Sequence, residues 1–197
     1  MKILFQGNGS LRLTTNENIV IYIDPYKGKG YDVPADLILV THQHSDHNQI
    51  QIVQKKSDCV IYQNFDVLKD GEYLTKEYRS IKITGFPAYN SNHKKEECVG
   101  FILEADGKKF YFSGDTSKMP EMSNLKQLKI DYAFLPVDGI FNMGIKEALE
   151  CNEIISPRYC TPIHMSAIGL YSKSKAKKFD PDNKLILELN NEIDLPE

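Results

Sequence analysis

Seven consecutive residues, Thr41-His42-Gln43-His44-Ser45-Asp46-His47, hold three of the chain's five histidines and an aspartate. They follow directly on Leu37-Ile38-Leu39-Val40, a continuous apolar run that reads as a buried strand. Imidazole and carboxylate are the donors that suit zinc, iron or manganese. Alternate residues leaving a strand project in different directions, so one such segment can face two ions at once. Histidines of an ordinary solvated loop have no reason to mass where a buried strand ends. The segment therefore reads as metal donors carried on a rigid scaffold.

Two later places share that grammar. Gly114-Asp115-Thr116 follows the run Phe110-Tyr111-Phe112-Ser113, and Pro162-Ile163-His164 closes a short apolar stretch. Taken in this order, the HxHxDH segment, the Gly-Asp-Thr element and the late histidine resemble the metallo-β-lactamase superfamily. The resemblance covers nearly the whole chain. It assigns His42 and His44 to a first metal position and Asp46 and His47 to a second. Asp115 would bridge the two, and His164 would complete the second. Much of the superfamily supplies the last donor of the first position from a mid-chain histidine. Here the aligned position, after Pro87-Ala88-Tyr89, is Asn90, with His93 slightly later. His93 is taken as the ligand; the alternatives are the Asn90 amide oxygen or a water.

Further segments are similar to small hydrolases grouped with ascorbate-6-phosphate lactonase. They are Pro87-Ala88-Tyr89-Asn90 with His93-Lys94, then Leu135-Pro136-Val137, and Met143 with Glu147-Ala148. The implied activity is a hydrolase with two divalent ions, zinc first, manganese or iron as alternatives. Paired ions lower the pKa of water from 15.7 to about 7, so no serine or cysteine nucleophile is needed. In that chemistry Asp115 sets the ion spacing, and Asp46 orients the attacking water and passes a proton onward. A lactone or a phosphorylated metabolite is the expected substrate class. The alternatives are a phosphodiesterase or ribonuclease of the same fold, or a non-hydrolytic metal-binding sensor or diiron protein.

These donors need strands that end on one edge. Ile3–Phe5, Ser10–Leu13 and Ile19–Ile23 read as hairpin strands separated by Gly and Asn turns. Leu37–Val40 delivers the histidines, residues 48–56 read as a helix, and Cys59–Tyr62 and Ser80–Thr84 as strands. Cys98–Glu104 and Lys109–Phe112 flank Asp106-Gly107, a hairpin turn signal. Pro120–Leu128, Lys146–Ile155 and Tyr171–Phe179 read as helices. Tyr132–Pro136, Tyr159–Ile163 and Leu185–Leu189 read as strands, the last closing a sheet. The order fits an α/β chain of one domain, residues 1–197. The resemblance implies an αββα four-layer sandwich of two mixed sheets covered by helices.

Composition bounds the rest. At 197 residues folding should bury roughly 70% of the unfolded surface. The net charge is -3, which gives no general attraction to nucleic acid or anionic membrane. No run approaches the ~20 apolar residues of a membrane span. The apolar start Met1–Phe5 stops at Gln6-Gly7-Asn8-Gly9, too early for a signal peptide. Four cysteines without a CxxC pair, in a chain with a full core, read as reduced thiols of a cytoplasmic protein. The expected partner is a small-molecule substrate, with oligomeric state left open. Lys173, Lys175, Lys177 and Lys178 would either steer an anion or form a solvated helix face. Tyr89 and Tyr171 would either offer hydroxyls near the metals or pack.

Overall fold

In the computed structural model, which describes residues 1–196, alternation decides where each apolar side chain goes. In β3 (Val20–Ile23) and β4 (Ala35–Val40), Ile21, Ile23, Leu37 and Leu39 enter the core between two sheets. Val20, Tyr22, Ile38 and Val40 face the other way, into a smaller cluster. The unbroken apolar run of β4 thus has a reason. The strand pairs in parallel on both sides and is buried on both faces.

The first sheet has strand order β14-β1-β2-β3-β4-β5, adding β1 (Lys2–Gly7), β2 (Ser10–Thr14), β5 (Lys55–Gln63) and β14 (Glu192–Asp194). A short helix α1 (Asn64–Val67) and a small hairpin, β6 (Leu68–Lys69) with β7 (Glu72–Tyr73), lead out of it. The second sheet has order β13-β12-β11-β10-β9-β8. Its strands are β8 (Thr75–Tyr78), β9 (Ile81–Pro87), β10 (Val99–Ala105), β11 (Lys108–Phe112), β12 (Tyr132–Pro136) and β13 (Tyr159–Ile163). Each sheet pairs three strands in parallel at one end and the rest antiparallel, so both are mixed. Phe5, Leu11 and Leu13 meet Phe101, Phe110, Phe112 and Phe134 in one continuous core.

The outer layers are unequal. Helix α3 (Ile145–Ile155) buries Ala148, Cys151 and Ile155 against the second sheet, beside a 3₁₀ turn at Pro120–Asn124 that runs into α2 (Leu125–Leu128). Over the first sheet the smaller cluster is sealed by Tyr31, stacked 5.8 Å from Tyr22, and by Val53. The helix expected over residues 48–56 reduces to a 3₁₀ turn at Ile50–Ile52. Its amides bond elsewhere: Asn48 Nδ2 donates to Gln43 O and Gln49 Nε2 to Ser45 O. Gln54 is drawn into extended pairing with Tyr31 and Ala35, and β5 starts at Lys55.

The strand expected at Leu185–Leu189 is also absent. That segment crosses between sheets, bridging Cys160 at Lys184 and Phe5 at Leu189. It therefore runs along neither sheet, and β14 closes the first sheet on β1 instead. Helix α4 (Lys173–Lys178) is shorter than expected and is capped by Ser172. Among the described residues no helix is long and apolar enough to cross a membrane. All four cysteines are unpaired, and Cys160 lies in the core.

Candidate metal centre

Strand direction brings the donors together. β1, β3 and β4 share one direction in the first sheet, as do β9, β11, β12 and β13 in the second. Asn8, Asp24, the histidine segment, Asn90, Asp115, Asp138 and His164 all follow the C-terminal ends of these strands. Open α/β sheets place their sites at such ends.

Three sets of donor atoms each fit within 4.8 Å: His42, His44 and His93; His42, His47 and Asp115; Asp46, His47 and His164. The rings of His42, His44 and His93 form a triangle with centroids 4.6, 4.9 and 5.1 Å apart. Asp115 touches both ends of the site. Its Oδ2 lies 3.3 Å from His93 Nε2 and 3.5 Å from His164 Nε2, and its Oδ1 lies 3.4 Å from His47 Nε2. Asp46 Oδ2 sits 3.4 Å from His164 Nε2 and accepts from Asn8 Nδ2 at 3.1 Å. All seven residues picked out from the sequence converge here.

What sequence reasoning missed is the set that orients them. Asp24 Oδ2 accepts from His47 Nδ1 at 2.8 Å and from the Thr41 hydroxyl at 2.7 Å, and Thr41 in turn meets His42 Nδ1 at 3.0 Å. Asp138 Oδ2 lies 3.3 Å from His164 Nδ1. Asn90 Oδ1 accepts from His93 Nδ1 at 2.9 Å. Asn90 thus serves the site by holding His93, which is the residue that reaches the triangle. With the Nδ1 atoms of His42, His47 and His93 engaged and Asp138 facing that of His164, the Nε2 atoms point inward. The Nε2 atoms of His42, His47 and His164 are buried and have no hydrogen-bond partner among the described residues. Buried imidazole nitrogens that converge without partners, interleaved with carboxylates, fit a cation.

Charge divides the site. Burial and the neighbouring imidazoles of His47, His93 and His44 push His42 well below its ordinary pKa. Burial opposes charge on His164 too, but Asp115, Asp138 and Asp46 outweigh it and raise its pKa to about 10. His47 is raised likewise: Asp115 and Asp24 overcome its burial. Against burial, His164 and His47 hold the Asp46 carboxyl far below its usual range. The carboxylate end is therefore built around positive charge.

Backbone shape contributes as well. His164, Asp24 and Asn8 adopt left-handed φ of 42°, 45° and 56°, the kind of strain that clusters at functional sites. Tyr89 commits its hydroxyl to Glu121, and Tyr171 packs edge-on against Phe5. Lys175 Nζ donates to the Asp138 carbonyl, while Lys173, Lys177 and Lys178 are exposed.

The profile of the beta-lactamase superfamily domain matches residues 2–164. The chain belongs to the metallo-β-lactamase superfamily. A relative, the UPF0173 metal-dependent hydrolase of Thermococcus onnurineus, is 30% identical over 191 residues, 83% of this chain and 84% of that one. A solved structure classed as a metal-dependent hydrolase, from Parabacteroides distasonis, is 34% identical with a TM-score of 0.78, covering 95% of this chain and 92% of its own. The metallo hydrolase Igni18 of Ignicoccus hospitalis shares the fold at 21% identity and a TM-score of 0.76, over 98% of this chain and 97% of its own. The protein is a metal-dependent hydrolase of this superfamily.

Proposed function

We propose that the centre holds two divalent ions and hydrolyses a small molecule. His42, His44 and His93 would hold one ion, Asp46, His47 and His164 the other, and Asp115 would be shared. The observation that carries this reading is Asp115, whose two oxygens reach donors from both sets. Zinc suits the imidazoles best, with manganese or iron as alternatives given the two carboxylates, Asp46 and Asp115. Two such ions would supply Lewis-acid polarisation and a water acidified from 15.7 to about 7.

The chain's own groups then have defined work. Asp46, half-buried at the cavity and tethered by Asn8, is placed to orient water and move a proton to the leaving group. Asp24, Asp138, Asn90 and Thr41 keep the donor rings aimed. A cavity of about 220 Å³ over the donors supports a small substrate, being below the ~300–1,000 Å³ of pockets for drug-sized ligands. A lactone or a phosphorylated metabolite fits that size. The similarity of the residue 87–94 segment to lactonase-like hydrolases supports the former. Unpaired cysteines support a reducing, cytoplasmic setting.

The test pairs metal analysis with turnover. Asp115→Ala should keep the fold, since the side chain packs no core. It should lower hydrolysis of any identified substrate by far more than tenfold, the equivalent of ~1.4 kcal/mol. Activity surviving within tenfold, with two ions still bound, would overturn the bridging role.

A further inference from the structure

The cavity over the metal centre is lined on one part by donors and on the rest by Phe141, Ala167 and the Asn92 amide. Phe141 is 47% exposed, Ile140 beside it 66%, and Ile168 beside Ala167 91%. Single exposed apolar residues are ordinary. Here, however, they border both apolar lining positions of one catalytic cavity.

The Phe141 backbone is also fixed. Its carbonyl accepts from Asn90 Nδ2 at 3.1 Å and Asn92 Nδ2 at 3.0 Å, and its N–H donates to Asp138 Oδ1 at 2.6 Å. Asn90 and Asp138 are the residues that orient His93 and His164. The backbone that carries Phe141 and the donor rings therefore share anchors. A phenyl ring left half in water beside reacting groups gains free energy when an apolar group covers it. The cavity lining includes no lysine or arginine to pair with a charged tail.

We propose that the substrate is a small neutral lactone or ester whose hydrocarbon substituent lies against Phe141 and Ala167 while its carbonyl faces the donors. This rests on the dinuclear hydrolase reading above. In the reaction, water oxygen bonds to the acyl carbon and the acyl C–O bond breaks. One water proton ends on the released alkoxide oxygen, the other leaves as the acid ionises, and nothing is oxidised or reduced.

The experiment uses metal-loaded protein and butyrolactones carrying hydrogen, methyl, propyl or carboxymethyl. The matching unreactive lactams are titrated by calorimetry, and metal content is measured on the same samples. Each added methylene up to propyl should tighten lactam binding about three- to fourfold and lower KM for the lactone, while the carboxymethyl compound loses the gain. Phe141→Ala should flatten the series with metal content unchanged, and Phe141→Leu should restore part of it. A flat wild-type series, a preference for the carboxymethyl compound, or an unaltered slope in Phe141→Ala overturns the proposal. Lactone turnover independent of the substituent, with two ions bound, does so too and leaves the dinuclear reading standing. A steep, Phe141-dependent lactam series on protein that holds fewer than two ions overturns the dinuclear reading instead.

Discussion

Asp24 and Asp138 each face the outer nitrogen of a histidine, at His47 and His164, and an imidazole that binds metal almost always has its other nitrogen held in this way. Asp24→Asn and Asp138→Asn keep shape and remove charge, so each should weaken metal binding by roughly 10–100-fold. Competition against a chromophoric chelator measures this, and wild-type affinity in both variants would dismiss the orienting role. His93→Ala should cost the occupancy of one ion. Asn90→Ala should only weaken it, since Asn90 acts through the His93 ring; elemental analysis of both variants separates the two roles. The donors were legible in sequence because histidines crowd behind an apolar strand. Asp24 and Asp138 obey the same rule, following Val20–Ile23 and Tyr132–Pro136. They do not stand out in the sequence because aspartate is also among the residues that dominate turns. Only the imidazole each meets, 23 and 26 positions away, sets it apart.

At the scale of elements, the two sheets must approach closely where β4 and β11 end. Gly114, just before Asp115, makes that approach feasible. It has φ +61°, and a Cβ there would lie 2.9 Å from the Val99 carbonyl and 3.0 Å from Thr41 Cβ. Gly114→Ala should therefore cost at least ~2 kcal/mol, from left-handed strain and collision with backbone that cannot move aside. It should also displace Thr41, and with it His42. Urea unfolding reads the first effect, and a loss under ~0.5 kcal/mol, ordinary for an innocuous surface change, would show that the gap can open. The strands bearing donors were readable because β4, β11, β12 and β13 are apolar runs buried by both neighbours and core. Residues 48–56 and Leu185–Leu189 were not, for a tertiary reason. Apolar spacing in the first was overridden by amide side chains bonding to nearby backbone. The second buries Leu187 while crossing between sheet edges. Periodicity reports burial; it does not report which backbone a segment will pair with.

For the whole molecule, the core and the site divide the work of folding and function. The large apolar cluster joins both sheets through Phe5, Phe101, Phe110 and Phe134. The donors instead sit past the strand ends, where they add almost no apolar burial. The sheets should therefore stand without metal, and the site's carboxylates Asp46 and Asp115 already face the imidazoles of His47 and His164 before a cation arrives. A cation that binds only the folded chain stabilises it by ~2.7 kcal/mol when free metal is a hundredfold above its Kd. In a chain of this length each kcal/mol is worth ~2–4 °C. Chelation should then lower Tm by roughly 5–10 °C per ion removed at that excess while the far-ultraviolet dichroism at 25 °C stays that of two intact sheets. The shift should shrink in His42→Ala/His44→Ala, which has lost the imidazoles of one set. Collapse of the sheet signal on chelation would mean instead that the metal centre is part of what folds the chain.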